Sequence, residues 1–319
     1  MLQGSILGPI LFNIFVSELH NLIANCSLQV HFYVDDSQLY ISCPPDDAPS
    51  IMQRLADCIA KVDLWLHANR LLLNPGKTDL ICLGSRQQVS RIPTDSITFG
   101  ATVVNRARSV RNLGLFLDEN LTMSSHVSHI VRCGFYQLRQ LRTVVDSLSA
   151  EASAVLVHAF ISSRLDYCNS LLVGISAHLI RRLQVLQNAA ARLIAGARRY
   201  DHITPILQSL HWLPVRERIL YKVSMLVHRC LSGNAPQYLT TLLNPLRNST
   251  RPWSLRSNAT NQLITPRTRT NLGARAFSVA GPTIWNSLPS AIRDHQGPIS
   301  SFAKLLKSHL YASAAAAHS

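Results

Sequence analysis

The chain has 319 residues, 47% hydrophobic and 15% charged, a length for about two domains and a balance that excludes a disordered tail or a collagen-like fibre. Thirty-one Lys and Arg against seventeen Asp and Glu leave a net charge of +14, which points to a polyanionic partner, most simply nucleic acid. The seven cysteines are odd in number, widely spaced and without a C-x-x-C pair, so they read as reduced intracellular thiols, neither a disulfide frame nor a zinc site.

The first basic residue is Arg54, and the apolar run 6–16 is interrupted by Gly8, Pro9 and Asn13, so neither a secretory leader nor a membrane span is expected. Pro9 followed by Ile10, Leu11, Ile14, Phe15 and Leu19 predicts one helix. Two β-rich runs, 28–34 and 38–41, flank Asp35-Asp36-Ser37 and predict a hairpin turning at the acidic pair. Ile51, Leu55, Ile59, Val62 and Leu66 recur at helical spacing up to the turn Asn74-Pro75-Gly76. Residues 80–83, 97–104 (broken by Gly100) and 113–117 read as strands, so residues 1–118 are expected to be α+β with an antiparallel sheet.

After Asp118 the period becomes helical. Val127, Val131, Phe135, Leu138, Leu141, Val145 and Leu148 line one face, and Leu179, Leu183, Leu186, Ala190 and Leu193 a second. A further helix, 215–231, is stopped by Gly233. Residues 244–270 carry five Arg and no acid, a loop or extended basic arm; 301–311 form a terminal helix and 312–319 a frayed tail. Charge divides the same way. Residues 1–118 hold nine basic and ten acidic side chains, net −1, and residues 119–319 hold twenty-two and seven, net +15. The polyanion grip is therefore expected in the second part, with Arg181, Arg182, Arg192, Arg198 and Arg199 as its contacts; the bland alternative is a basic solvated surface.

Tyr33-Val34-Asp35-Asp36 is the sharpest feature. Adjacent carboxylates repel, and Mg2+, which favours carboxylate oxygens and keeps waters for phosphate exchange, would hold them together. Asp-Asp is also an ordinary hairpin turn. Around it stand Gln3-Gly4-Ser5, with Gly4 and Gly8 allowing close approach of a flat ligand, then Asn74-Pro75-Gly76-Lys77-Thr78, then Leu113-Gly114 before Asp118. His126 and His129 are three apart on a helix without an evident third metal ligand. Trp212, Trp253 and Trp285 could stack on unpaired bases or pack in a core.

The order Gln-Gly-Ser-x-Leu-x-Pro, Tyr-x-Asp-Asp, Asn-x-x-Lys-Thr and Leu-Gly-x-x-x-Asp resembles the palm of reverse transcriptases, most nearly those of non-long-terminal-repeat (LINE-type) retrotransposons. The resemblance continues through 158–169, 187–192, 201–205, 211–215 and Pro282-Thr283-Ile284-Trp285-Asn286-Ser287-Leu288-Pro289. It implies a partial palm over 1–118, a helical thumb over 119–197 and a basic helical C-terminal region over 198–311. By that likeness Asp35 and Asp36 hold the two-ion Mg2+ site and Tyr33 lies near the primer end. Gln3, Gly4 and Ser5 line the pocket for template base and nucleotide, Lys77 faces the leaving pyrophosphate, and Leu113 and Gly114 grip the primer. The implied partners are an RNA template, a DNA primer and deoxynucleotide triphosphates, with no membrane and a nuclear location. The family's further aspartate, from a strand upstream of Gln3, has no counterpart in the sequence, so the expectation is a polymerase fragment inactive alone. The alternative is a non-catalytic nucleic-acid-binding remnant of a mobile element.

Overall fold

The computed structural model describes residues 7–93, 95–100, 102–246 and 261–316, in two compact units, Met1–Leu121 and Thr122–Ser319. In the first unit the expected opening helix is two helices, α1 (Gly8–Phe15) and α2 (Ser17–Ala24). The break falls where the Ser17 hydroxyl donates to the Ile14 carbonyl at 2.6 Å, a local bond that competes with the helical ladder. α2 buries Leu19 and Ile23, whereas α1 buries nothing. The first hairpin pairs β1 (Gln29–Tyr33) with β2 (Asp36–Tyr40). Its turn is Val34-Asp35, not the expected Asp35-Asp36-Ser37, and Asp36 sits in β2 opposite Tyr33; two-residue connections suit the natural strand twist best.

The long helix α3 (Ala48–Ala68) follows, then the short α4 (Arg86–Ser90), started by a capping box in which Ser85 and Gln88 satisfy each other's backbone N–H. The segment 97–104 is a second hairpin, β3 (Ser96–Phe99) with β4 (Thr102–Asn105), because Gly100 with φ +56° turns the chain. A third pairs β5 (Ser109–Asn112) with β6 (Leu115–Asp118), so the run 113–117 is a turn and a strand. Residues 80–83 contribute only a bridge from Leu80 to Arg106. The three hairpins do not join into the single antiparallel sheet expected. Isolated hairpins are marginal in water, and α3 supplies the missing burial. Leu19, Ile23, Leu28, Cys58 and Val62 form one core with Val30, Phe32 and Leu39 of the first hairpin against it. Leu80, Ile97, Phe99 and Val104 form a second. Leu55 of α3 packs against both.

The second unit is helical among its described residues. α5 (Ser124–Arg142) ends before Val145 and Leu148, which fall outside the single helix expected; α6 (Ala150–Val157) and α7 (Ser163–Asp166) follow, joined by a π turn at His158–Ser162. α8 (Ala177–Ala195) closes on Gly196 in the left-handed conformation. α5 and α8 pack together so closely that a Cβ on Gly134 would lie 2.5 Å from Leu186. Next come α9 (Ile203–Ser209), α10 (Val215–Leu231), α11 (Gln237–Thr240), α12 (Asn271–Ala274), α13 (Phe277–Ser287) and α14 (Ser290–Arg293). α15 (Ile299–Ala316) absorbs most of the expected frayed tail, because Ala314 is buried and extends the Phe302, Leu306 and Leu310 stripe. Buried Gln187 donates to the Leu213 carbonyl at 2.8 Å, and Gln184 accepts the Val215 N–H at 2.8 Å. The 211–215 motif is thereby fixed to α8. Arg218 of α10 forms a two-pronged pair with Asp166.

Candidate functional site

Alternation along the first hairpin sets its chemistry. Val30, Phe32 and Leu39 turn toward the core. Cross-strand register places Gln29, His31 and Tyr33 beside Tyr40, Gln38 and Asp36 on the other face. On that polar face the His31 ring stacks on Tyr40 with centroids 5.2 Å apart, and the Tyr40 hydroxyl lies 2.9 Å from His31 Nε2. Asp35 at the tip and Asp36 beside Tyr33 are both exposed, as is Tyr33 at 64%. Val34 has φ +57°, a conformation that costs a β-branched residue about 1–3 kcal/mol and holds the two acids at a tight turn.

One side-chain bond joins the third hairpin to this one. Gln38 Nε2 donates to Asn112 Oδ1 at 2.8 Å, tying β2 to the last residue of β5. Leu113 and Gly114 then form the tip, with φ +45° and +82°, the pair of positive values that a tight two-residue hairpin turn uses. Gly114 supplies one without a Cβ penalty. The expected residues Asp35, Asp36, Tyr33, Leu113 and Gly114 thus belong to two linked hairpins. Gln38 and Asn112, which link them, were not singled out from the sequence. The period-two run of polar residues from His31 to Tyr40 was the available signal.

Lys77 stands on a turn of its own. The Asn74 side chain accepts the Gly76 N–H at 3.0 Å and closes a 3-10 turn, Pro75–Lys77, that leaves Lys77 exposed. No hydrogen bond or ion pair among the described residues joins Lys77 to Asp35 or Asp36. Gln3, Gly4 and Ser5 lie outside the described residues.

As to metal, Asp35 and Asp36 enter no ion pair or side-chain hydrogen bond among the described residues, so two oxygen-donor carboxylates stand available on one turn, a chemistry that fits a hard divalent cation. No group of three His, Cys, Asp or Glu among the described residues could hold a metal ion, and the residues outside that set contain no Asp or Glu. The α5 histidines form no such site either. His126 is buried, and burial, then the neighbouring His129, lower its pKa; His129 Nε2 sits 3.6 Å from Cys133 Sγ.

Of the five arginines, Arg181, Arg198 and Arg199 present exposed side chains. Arg182 donates to Ser128 Oγ at 3.0 Å and Arg192 to the Asp201 carbonyl at 3.2 Å, so both already serve the fold. Trp212 and Trp285 are buried, the Trp285 indole donating to the Asn261 carbonyl at 2.7 Å, so neither is open to a base. Trp253, and Arg247, Arg251 and Arg256 of the basic stretch, lie outside the described residues.

Residues 1–117 match the family model for reverse transcriptase (RNA-dependent DNA polymerase). The chain is 28% identical over 229 residues, 68% of its own length and 24% of the relative's, to the probable RNA-directed DNA polymerase from transposon BS of Drosophila melanogaster. It is 24% identical over 205 residues (61% of this chain, 22% of the relative) to the RNA-directed DNA polymerase from mobile element jockey of Drosophila funebris. It is 25% identical over 277 residues (84% and 29%) to the probable RNA-directed DNA polymerase from transposon X-element of Drosophila melanogaster. These matches run past residue 117 into the helical unit, and the chain spans about a quarter of each relative. No solved structure matches. By its motifs, its domain match over residues 1–117 and its relatives, the chain is similar to the reverse transcriptases of non-long-terminal-repeat retrotransposons.

Proposed function

We propose that this chain works in RNA-directed DNA synthesis. Residues 1–118 serve as palm, 119–197 as thumb, and the basic residues after 198 as a further grip on nucleic acid. The observation that supports this most directly is the Gln38–Asn112 bond, which ties the Tyr33/Asp35/Asp36 hairpin to the Leu113-Gly114 hairpin. In that reading Asp35 and Asp36 hold Mg2+, which when bound would offset charge gathering on the reacting phosphate. Tyr33, on the same face as Asp36, supports the primer terminus, and the Leu113-Gly114 tip presses the primer toward it. Gln3, Gly4 and Ser5 line the nucleotide pocket, and Lys77 supplies a cation or a proton to the departing pyrophosphate. Exposed Arg181, Arg198 and Arg199, with Arg182 and Arg192 behind them, contact template phosphates.

In-line displacement needs ions fixed across the reacting phosphate from separate strands, and one turn anchors them from one side only. The chain by itself is therefore expected to bind primer–template without extending it. The second reading, a nucleic-acid-binding protein without catalysis, draws on the same count of carboxylates. A primer-extension assay separates the two. The chain alone should make no product. A fusion to the remainder of the transposon BS relative should extend primers, and Asp35→Asn should abolish that. Synthesis by the chain alone would refute the carboxylate argument, no synthesis by the fusion would favour the non-catalytic reading, and full activity of the Asp35→Asn fusion would refute the site.

A further inference from the structure

A concave groove of about 640 Å³ opens in the helical unit, where α8 meets the C-terminal end of α5. Its floor follows one face of α8, with Val185, Ala189 and Leu193 spaced by four residues, and Val145 beyond the end of α5 closes one side. From residue 185 to residue 196 this face runs about 16 Å, some three helical turns. Arg142, Arg192 and Arg199 also line the groove, and no acidic residue does. Of the acids close in sequence to the lining, Asp146 follows Val145 and is exposed, while the Asp201 carboxylate accepts the Arg198 N–H at 2.6 Å and its carbonyl takes Arg192 Nη2. Arg192 Nε is buried with no acceptor among the described residues, so this guanidinium has unused donor capacity.

We propose that the groove binds an acidic amphipathic helix of a partner protein when no template phosphate occupies Arg192 and Arg199, with aliphatic side chains seated along α8 and carboxylates paired to the three arginines. An apolar floor read at helical spacing is how helix-in-groove recognition works, and guanidinium forks select carboxylates at the rim. A second copy is a poor occupant, because the same surface carries the same charge and residues 119–319 are net +15. Phe135 gives the groove one aromatic face on which a base could stack, but the row Val185, Ala189 and Leu193 along α8 is aliphatic, which favours a helix over a strand of successive bases.

The test uses the full chain and a 16-residue fluorescein-labelled peptide with Leu at every third and fourth position and Glu between. Its controls are a shuffled peptide of the same composition and a labelled (dT)20 oligonucleotide, all read by fluorescence anisotropy. The amphipathic peptide should bind at least about tenfold more tightly than the shuffled one, a difference of roughly 1.4 kcal/mol. Val185→Asn, at a side chain 52% exposed and so tolerant of exchange, and Arg142→Glu should each weaken the peptide about tenfold. Val185→Asn should leave oligonucleotide binding within twofold and the unfolding midpoint unchanged. Equal binding of both peptides, or indifference to either variant, would overturn the proposal. Equal loss of peptide and oligonucleotide on Val185→Asn would overturn it in favour of a nucleic-acid site.

Discussion

The contact between α5 and α8 offers a test with a sign in it. A methyl added at Gly134 would lie 2.5 and 2.7 Å from the two Cδ atoms of Leu186, and Leu186 is fully buried. Gly134→Ala gains about 1 kcal/mol of helix propensity and loses about 1–3 kcal/mol to overpacking, a net destabilisation of up to about 2 kcal/mol, largest where the neighbour cannot yield. Leu186→Ala alone should cost about 2–5 kcal/mol, from lost burial and the void left behind. In that second context the clash has gone, the added methyl fills part of the void at about 0.8 kcal/mol, and the helix gain remains. Gly134→Ala should then stabilise by about 1–2 kcal/mol, so the two changes couple by about 2–4 kcal/mol. Urea unfolding read by tryptophan fluorescence in a Trp65→Phe chain, where the remaining three tryptophans all lie beyond residue 121, measures the cycle on the helical unit. The same sign for Gly134→Ala in both contexts would show that the helices do not meet at this point.

Further outcomes are expected elsewhere. Binding of RNA or DNA by the chain should fall by orders of magnitude between about 50 and 200 mM salt, because phosphate contacts release counterions; filter binding checks it, and a flat response would remove the polyanion grip. Burial, and then the charge of His295, lower the pKa of His228, which stacks on Phe302 at 4.0 Å. The unfolded chain therefore takes up the proton first, so this stabilisation is complete above pH 6.5, the ordinary histidine value, and is lost as pH falls below it. His228→Phe should flatten the acid side of a stability profile, and an unchanged slope would count against the buried neutral ring. Cys58 is pushed up to about 12, by burial first and then by its Cys26 neighbour, and Cys43 is exposed. Alkylation at pH 8 followed by mass spectrometry should mark Cys43 and reach Cys58 only in denaturant.

How much was legible follows from range. The helix 215–231 was read to the residue because its signals are local: Pro214 before it, the period within it, Gly233 after it. The acidic pair was also visible, but its turn was misplaced by one residue, since nothing local marks Val34, a β-branched residue, for a positive φ. Long-range facts were out of reach. Alternation cannot say that three hairpins remain separate, that Gln38 meets Asn112 across 74 residues of sequence, or that Arg182 and Arg192 are engaged by the fold. The Ala-rich tail looked frayed because low complexity hides a buried stripe that only packing reveals.

Leu55 gives the N-terminal unit an unusual economy. With no common sheet, the hairpin carrying the acids and the hairpin β3–β4 share no ladder of backbone bonds, yet one leucine of α3 touches the hydrophobic clusters beneath both. Any ligand that tightens the first hairpin also narrows the rotamers open to Leu55, and the second hairpin registers that narrowing through the same side chain. Shortening Leu55 to alanine would remove the one side chain common to both clusters and weaken that link, while Met52 and Ile59 on one side and Cys58 and Val62 on the other keep α3 packed. The continuity between these two hairpins then runs through helix α3, with Leu55 as the side chain common to both clusters, and not through a shared strand ladder.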